Sequence, residues 1–108
     1  MLFRSPRAFN RVYNIMPLIE FDPAKSVENV RTRGIGFERF ADMDFDSAIS
    51  VEDTRRNYGE PRLRVLGFID GRLHAAVITP RGEKIRVISL RRANRREERA
   101  YAKERQSS

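Results

Sequence analysis

Arg62-Leu-Arg-Val-Leu-Gly-Phe-Ile-Asp70-Gly71-Arg-Leu-His-Ala-Ala-Val-Ile-Thr79-Pro-Arg-Gly-Glu83-Lys-Ile-Arg-Val-Ile-Ser-Leu90 is the stretch that decides the fold. Asp70-Gly71 between two β-rich runs is the strongest short-range signal for a two-residue, type I′ hairpin turn. It predicts strands over Arg62–Ile69 and Arg72–Thr79, with Ile69 opposite Arg72, Gly67 opposite His74, Arg64 opposite Val77 and Arg62 opposite Thr79. Pro80-Arg81-Gly82-Glu83 reads as a second tight turn into a third strand, Lys84–Leu90. Closed on Arg81-Gly82, that turn sets Thr79 against Lys84 and Val77 against Arg86.

Side chains alternate along a strand. One face therefore carries Leu63, Val65, Ile69, Ala76, Ile78, Ile85 and Val87 and should pack against helices. The other carries Arg62, Arg64, Thr79, Lys84 and Arg86 at one end and Leu66, Phe68, Leu73, Ile88 and Leu90 at the other. In this register Arg64 and Arg86 flank Val77. Like charges on adjacent rows repel. An anion between them would relieve the repulsion, as would an acid from Glu60 or the Asp42–Asp53 stretch. A one-residue slip of the second turn would move Lys84 and Arg86 to the opposite face.

Outward from the hairpins, Leu18–Phe21 and Ala48–Asp53 read as short strands. Asp22-Pro23 opens a helix, with Asp as N-cap and Pro at the first helical position, and Gly34 closes it. Val27 and Val30 lie on one face of that helix. A second short helix is expected from Phe37 to Met43, with Phe37, Phe40 and Ala41 on one side. Asn94 and Glu97 have capping-box spacing, which opens a C-terminal helix through about Glu104. The fold class is α+β: a small antiparallel β-sheet with helices packed mainly on one face. Residues 1–15 hold arginines, no acids and no apolar period, and are expected to be a poorly ordered, dispensable extension, with translation able to start at Met16. The domain is then 16–105, with 106–108 as a tail.

Composition narrows the function. At 108 residues the chain makes one domain, and 40% hydrophobic content sets it apart from disordered chains. With no cysteine, it has no disulfide, thiolate ligand or thiol nucleophile, and one histidine excludes a multi-histidine metal site within the chain. No apolar run approaches bilayer length, so a membrane partner is not expected. The net charge is +7, and residues 81–105 hold ten basic against four acidic side chains. Only three of the 22 basic residues are lysine. Arginine's planar fork fits phosphate bidentately and stacks on bases, so this bias points to a polyanion partner. Arg95 and Arg96 sit in a first helical turn, where the dipole disfavours cations, and Arg91 and Arg92 lie just before it.

His74 falls on the apolar face, as a hydrogen-bonded core residue or an acid–base group. Asp42, Asp44 and Asp46 lack the glycine and terminal glutamate of a calcium loop and read as a solvated turn. Tyr58 and Tyr101 could each stack on a base.

Several ordered motifs together resemble the BrnT family. Phe21-Asp-Pro-Ala-Lys25, Arg33-Gly34-Ile35 and Phe37-Glu38 resemble its opening. Asp53-Thr-Arg55, Tyr58-Gly59-Glu60-Pro-Arg62 and Asp70-Gly-Arg-Leu-His74 resemble its middle. Ile85-Arg86-Val-Ile-Ser89, Arg91-Arg92-Ala93 and Arg95-Arg96-Glu97 through Tyr101 resemble its end. The resemblance spans about residues 18–103. The extension before Met16 and Pro61 ahead of Arg62 depart from it.

The resemblance implies a RelE-like ribonuclease toxin of a type II toxin–antitoxin module, acting in the bacterial cytoplasm by cleaving RNA and blocking translation. Its implied partners are an RNA substrate, a BrnA-like ribbon-helix-helix antitoxin, and operator DNA reached through the antitoxin complex. RNA can be cut by its own 2′-hydroxyl, and arginines can stabilise the charge that builds on phosphorus without a metal or other cofactor. Arg62 and Arg86 are the expected transition-state contacts, assisted by Arg64, with Glu60 as a base. Arg64, Lys84, Arg91, Arg92 and Lys25 are the expected RNA-binding residues. Lys25, His74 and Tyr101 join Glu60 as proton-transfer candidates. The alternative is a non-catalytic basic nucleic-acid-binding or repressor module; an interaction protein docking an acidic partner is the third reading.

Overall fold

The computed structural model describes residues 2–3 and 19–106. The elements are β1 (Leu2–Phe3), β2 (Ile19–Glu20), α1 (Pro23–Arg33), a 3-10 helix (Phe37–Asp42), β3 (Ile49–Glu52), β4 (Leu63–Ile69), β5 (Arg72–Arg81), β6 (Lys84–Arg92) and α2 (Arg95–Gln106). They form an α+β fold on one sheet of order β1-β3-β4-β5-β6-β2. Neighbours are antiparallel except β2 and β6, which run parallel. Of the expected extension, Leu2 and Phe3 pair with Val51 and Ser50; its other residues, and Met16, lie outside the described residues.

The first hairpin forms as the sequence predicts. Asp70 and Gly71 both take positive φ, 53° and 77°, as a type I′ turn requires. The register runs from Ile69↔Arg72 through Gly67↔His74 and Arg64↔Val77 to Leu63↔Ile78.

The second hairpin corrects the expectation. Arg81 pairs with Lys84, so Gly82-Glu83 closes the turn. The alternative would put Arg81 at the first turn position, where φ is positive; Gly82 takes that position instead, at φ 61°. Thr79 therefore opposes Arg86, and Val77 opposes Ser89 across a bulge at Val77/Ile78. Arg64 and Arg86 do not flank Val77. The two-residue shift keeps Lys84 and Arg86 on their expected face, but the bulge reverses facing beyond it. Leu90 consequently turns into the core, 1% exposed, rather than toward the opposite face.

The first face of the sheet holds the larger core. Val65, Ile69, Ala76, Ile78, Val87 and Leu90 pack against Phe37, Phe40, Met43 and Phe45. Phe37, Phe40 and Met43 recur every three residues, the period of a 3-10 helix, and all are buried, whereas Ala41 is exposed. α1 is capped as read: the Asp22 carboxylate accepts from the Ala24 and Lys25 N–H groups, and left-handed Gly34 donates to the Val30 carbonyl. Its valines, however, face outward, Val27 at 71% and Val30 at 51% exposure. Polar residues seat the helix instead. Asn29 donates to the carbonyls of Ile35 and Leu90, both at 2.8 Å. Ser26 Oγ accepts from the Phe37 N–H at 2.9 Å.

α2 lies on the second face, so the helices are not confined to one side. Tyr101 packs edge-on against Phe68 beside Ile49 and Leu73, and its hydroxyl donates to the Ser47 carbonyl at 2.8 Å. The capping box forms in full: Asn94 and Glu97 side chains each accept the other's backbone N–H. No helix among the described residues is long and apolar enough to cross a membrane.

Candidate functional site

α2 covers only one end of the second sheet face. Beside it lies a cleft of about 270 Å³. Alternating residues of four strands make its floor: Ile49 and Val51, Arg64 and Leu66, Ala75 and Val77, Ser89 and Arg91. Val65 of β4 and Ala76 of β5, Arg96, Glu97 and Ala100 of α2, and Arg55 from the loop after β3 complete the lining. Four arginines thus meet one carboxylate over an apolar floor.

The arginines fall into two pairs. Arg55 and Arg91 are clamped. The Asp53 carboxylate, 1% exposed, takes Arg55 Nε at 2.9 Å and Nη2 at 2.8 Å. Glu97 takes both terminal nitrogens of Arg91, at 2.8 and 2.9 Å. Arg64 and Arg96 have no hydrogen-bond or ion-pair partner among the described residues. Their charge is available to a ligand.

The carboxylates are tuned to these roles. Hydrogen bonds from the Arg55 side chain hold Asp53 well below the usual carboxylate range, against the opposing effect of burial, with further help from the Arg55 backbone N–H and the Tyr58 hydroxyl. Asp53 in turn raises Arg55. Glu97 is lowered chiefly by the Arg91 side chain, with lesser help from the Asn94 backbone N–H and the charge of Arg64. Arg91 is correspondingly raised by Glu97.

The residues expected from sequence are spread around this cleft. Arg64 and Arg91 line it. Arg62, Lys84 and Arg86 share its sheet face without being among its lining residues. Arg62 pairs with Glu60 at 3.3 Å and lies 4.2 Å over the Tyr58 ring centroid. Glu60 also takes Arg81, at 3.4 Å. Arg86 pairs with Glu20 at 3.0 Å, joining β6 to β2. Lys84 is exposed at the hairpin, Lys25 is exposed on α1, and Arg92 is on the opposite sheet face beside His74. Tyr101 is buried and Tyr58 has one ring face under Arg62, so neither ring stands open. None of Glu60, Lys25, His74 and Tyr101 lines the cleft.

Arg55 and Arg96 line the cleft although the sequence reading does not single them out as RNA contacts. Each had a signal. Arg96 was already an ill-placed cation in a first helical turn. Asp53, two residues before Arg55, is the kind of short-range acid that can orient a guanidinium. Among the described residues no three His, Asp or Glu side chains cluster as metal ligands would.

Comparison with curated proteins returns no match. Residues 21–97 match the family model described as "Ribonuclease toxin, BrnT, of type II toxin-antitoxin system". That stretch contains every cleft-lining residue but Ala100, and it covers well over half of the sequence; the chain belongs to the BrnT family of ribonuclease toxins.

Proposed function

We propose that this chain is an endoribonuclease toxin and that a phosphodiester of RNA enters the arginine cleft. The observation that carries this reading is the pairing of two clamped arginines with two unclamped ones, Arg64 and Arg96, around one cavity. In the reaction the 2′-hydroxyl gives up its proton to a base and its oxygen bonds to the adjacent phosphorus, while the bond from phosphorus to the 5′-oxygen breaks and that oxygen takes up a proton. The products are a 2′,3′-cyclic phosphate and a 5′-hydroxyl. Extra negative charge builds on the non-bridging oxygens. Cations already oriented toward that charge stabilise it without reorganising. Arg55 and Arg91, each held by a carboxylate, supply that preorganisation, and Arg64 and Arg96 supply net charge. Arg62, Lys84 and Arg86 extend the cationic strip along the same sheet face for flanking phosphates. The chemistry runs on arginine charge and needs no metal. Loss of RNA in the bacterial cytoplasm stops translation. A BrnA-like ribbon-helix-helix antitoxin neutralises the toxin by covering this cleft and carries the complex to operator DNA.

The test is induced expression of the full chain in bacteria beside Arg64→Ala, Arg96→Ala, Arg62→Ala and Arg86→Ala, at matched protein levels, with growth and RNA integrity followed. Arrest with RNA loss, relieved most by Arg64→Ala or Arg96→Ala, is expected. Intact RNA in the presence of folded protein would overturn the catalytic reading and favour a nucleic-acid-binding module.

A further inference from the structure

The sheet carries a second basic hollow on its other face, at the β4–β5 turn. It is lined by Arg33, Arg39, Ile69, Asp70, Arg72, His74 and Arg92, among others, and encloses about 340 Å³. Three of these side chains are immediate neighbours on the sheet. Arg72 and His74 are two apart on β5, and Arg92 lies directly across from His74 on β6. Two exposed cations flanking an imidazole repel one another, and nothing in the fold requires them there. Arg39 is already satisfied by Asp42 and Asp70. Arg33 suits the C-terminal end of α1 and needs no other explanation. Arg72 and Arg92, by contrast, have no ion-pair partner among the described residues.

His74 makes this more than a charged surface. It is 6% exposed, and its Nδ1 lies 2.7 Å from the Arg72 carbonyl. A carbonyl only accepts, so Nδ1 carries the proton and donates. Nε2 has no partner among the described residues, on a residue more than nine-tenths buried that lines the hollow. In a packed interior such a nitrogen ordinarily finds a partner.

We propose that this hollow is a second phosphate site, in which Arg72, Arg92 and His74 Nε2 hold a backbone phosphate of a nucleic-acid strand. With Nδ1–H committed to the carbonyl, a phosphate oxygen accepts from Nε2 only when that nitrogen also carries a proton. The charged groups that line the hollow with the ring are Arg33, Arg39, Arg72, Arg92 and Asp70. A strand held here and in the arginine cleft would be gripped on both faces of one sheet. The strand's identity as RNA rests on the ribonuclease reading; the phosphate site itself does not, since a chain that binds nucleic acid without cutting it would use it equally.

His74 is the chain's one histidine, so its ring resonances need no assignment. The experiment titrates full-length protein with inorganic phosphate and, separately, with a 2′-O-methyl oligoribonucleotide, which the 2′-hydroxyl reaction cannot cleave. The readout is the ring nitrogen shifts, followed at several fixed pH values. Expected is a saturable Nε2 shift with both probes, abolished in Arg72→Ala/Arg92→Ala and retained in Arg64→Ala. An unmoved Nε2, or an equal shift in the double variant, overturns the site. A shift with inorganic phosphate alone overturns the strand as its ligand. Growth arrest in the double variant reports on the ribonuclease reading separately.

Discussion

Asp53 grips Arg55 with both carboxylate oxygens from a position that is itself buried, so the chain has sunk an acid into its interior to aim a cation at the cleft. Both groups are joined by the Tyr58 hydroxyl, which donates to Asp53 at 3.2 Å, while Arg62 stacks on the same tyrosine ring. One carboxylate thereby sets the position of two arginines.

Removing that carboxylate has a stability consequence. Asp53→Ala is expected to cost about 1–3 kcal/mol, the usual range for breaking a buried charged hydrogen-bond set. A chemical denaturation midpoint measures it. A cost near zero would mean that water replaces the carboxylate freely.

Acid acts on the same network. Asp53 and Glu97 are both lowered in the folded chain. A depressed carboxylate stabilises fully above its unfolded value, about 4, and the contribution fades as pH falls toward the folded value. Thermal stability should therefore hold flat down to about pH 5 and decline below about pH 4. Asp53→Asn should flatten that decline. Melting curves across the range decide it.

Gly67 is a packing requirement. A Cβ there would stand 2.5 Å from Met43 Sδ and 3.2 Å from Ala48 Cβ. Met43 is buried, so the sulfur has to move into occupied space. Gly67→Ala should destabilise by about 1–3 kcal/mol. Adding Met43→Ala should recover part of it, and a double-mutant cycle with no coupling would reject the clash as the cause.

Thr79 ties the loop before β4 to the sheet. Fully buried, its hydroxyl donates to the Pro61 carbonyl at 2.6 Å. Thr79→Val keeps the shape and removes the donor, at a cost of about 1–2 kcal/mol. Because Pro61 precedes Arg62, amide exchange in that loop should quicken more than in β5.

The two unclamped arginines and the paired ones should separate kinetically. Arg64→Ala should lower cleavage by about 100- to 1,000-fold, the range for losing one group that stabilises charge in a transition state. Arg86→Ala breaks a half-exposed ion pair with Glu20, costs at most about 1 kcal/mol, and should leave cleavage less affected. Equal losses in both would move the centre of the site toward β2.

Local chemistry made much of this legible. The Asp70-Gly71 turn, the Asp22 cap, the Gly34 stop and the Asn94–Glu97 box each involve residues at most four apart and were readable as written. The β4–β5 register followed from one turn. The β5–β6 register did not, because the choice between two glycine placements shifts it and the bulge at Val77/Ile78 answers to packing across the sheet. Arg64 and Arg91, expected from the sequence to contact RNA, lie in the cleft; Arg55 is not legible in the same way, since its position depends on Asp53 being buried, a tertiary fact. Val27 and Val30 suggested an apolar helix face, yet Asn29's amide decided how α1 seats.

That amide has one more effect. Among the described residues β2 covers β6 only at Ile85 and Arg86, and the outer backbone of the strand's later half has no neighbouring strand. Asn29 caps the Leu90 carbonyl there. An open strand flank is a template for association between molecules, and a bulge such as the one between Val87 and Ser89 already makes it a poorer one. The helix that seats on the sheet therefore also occupies a carbonyl that a strand from a second copy would otherwise use, so Asn29 blunts the edge as well as anchoring the helix.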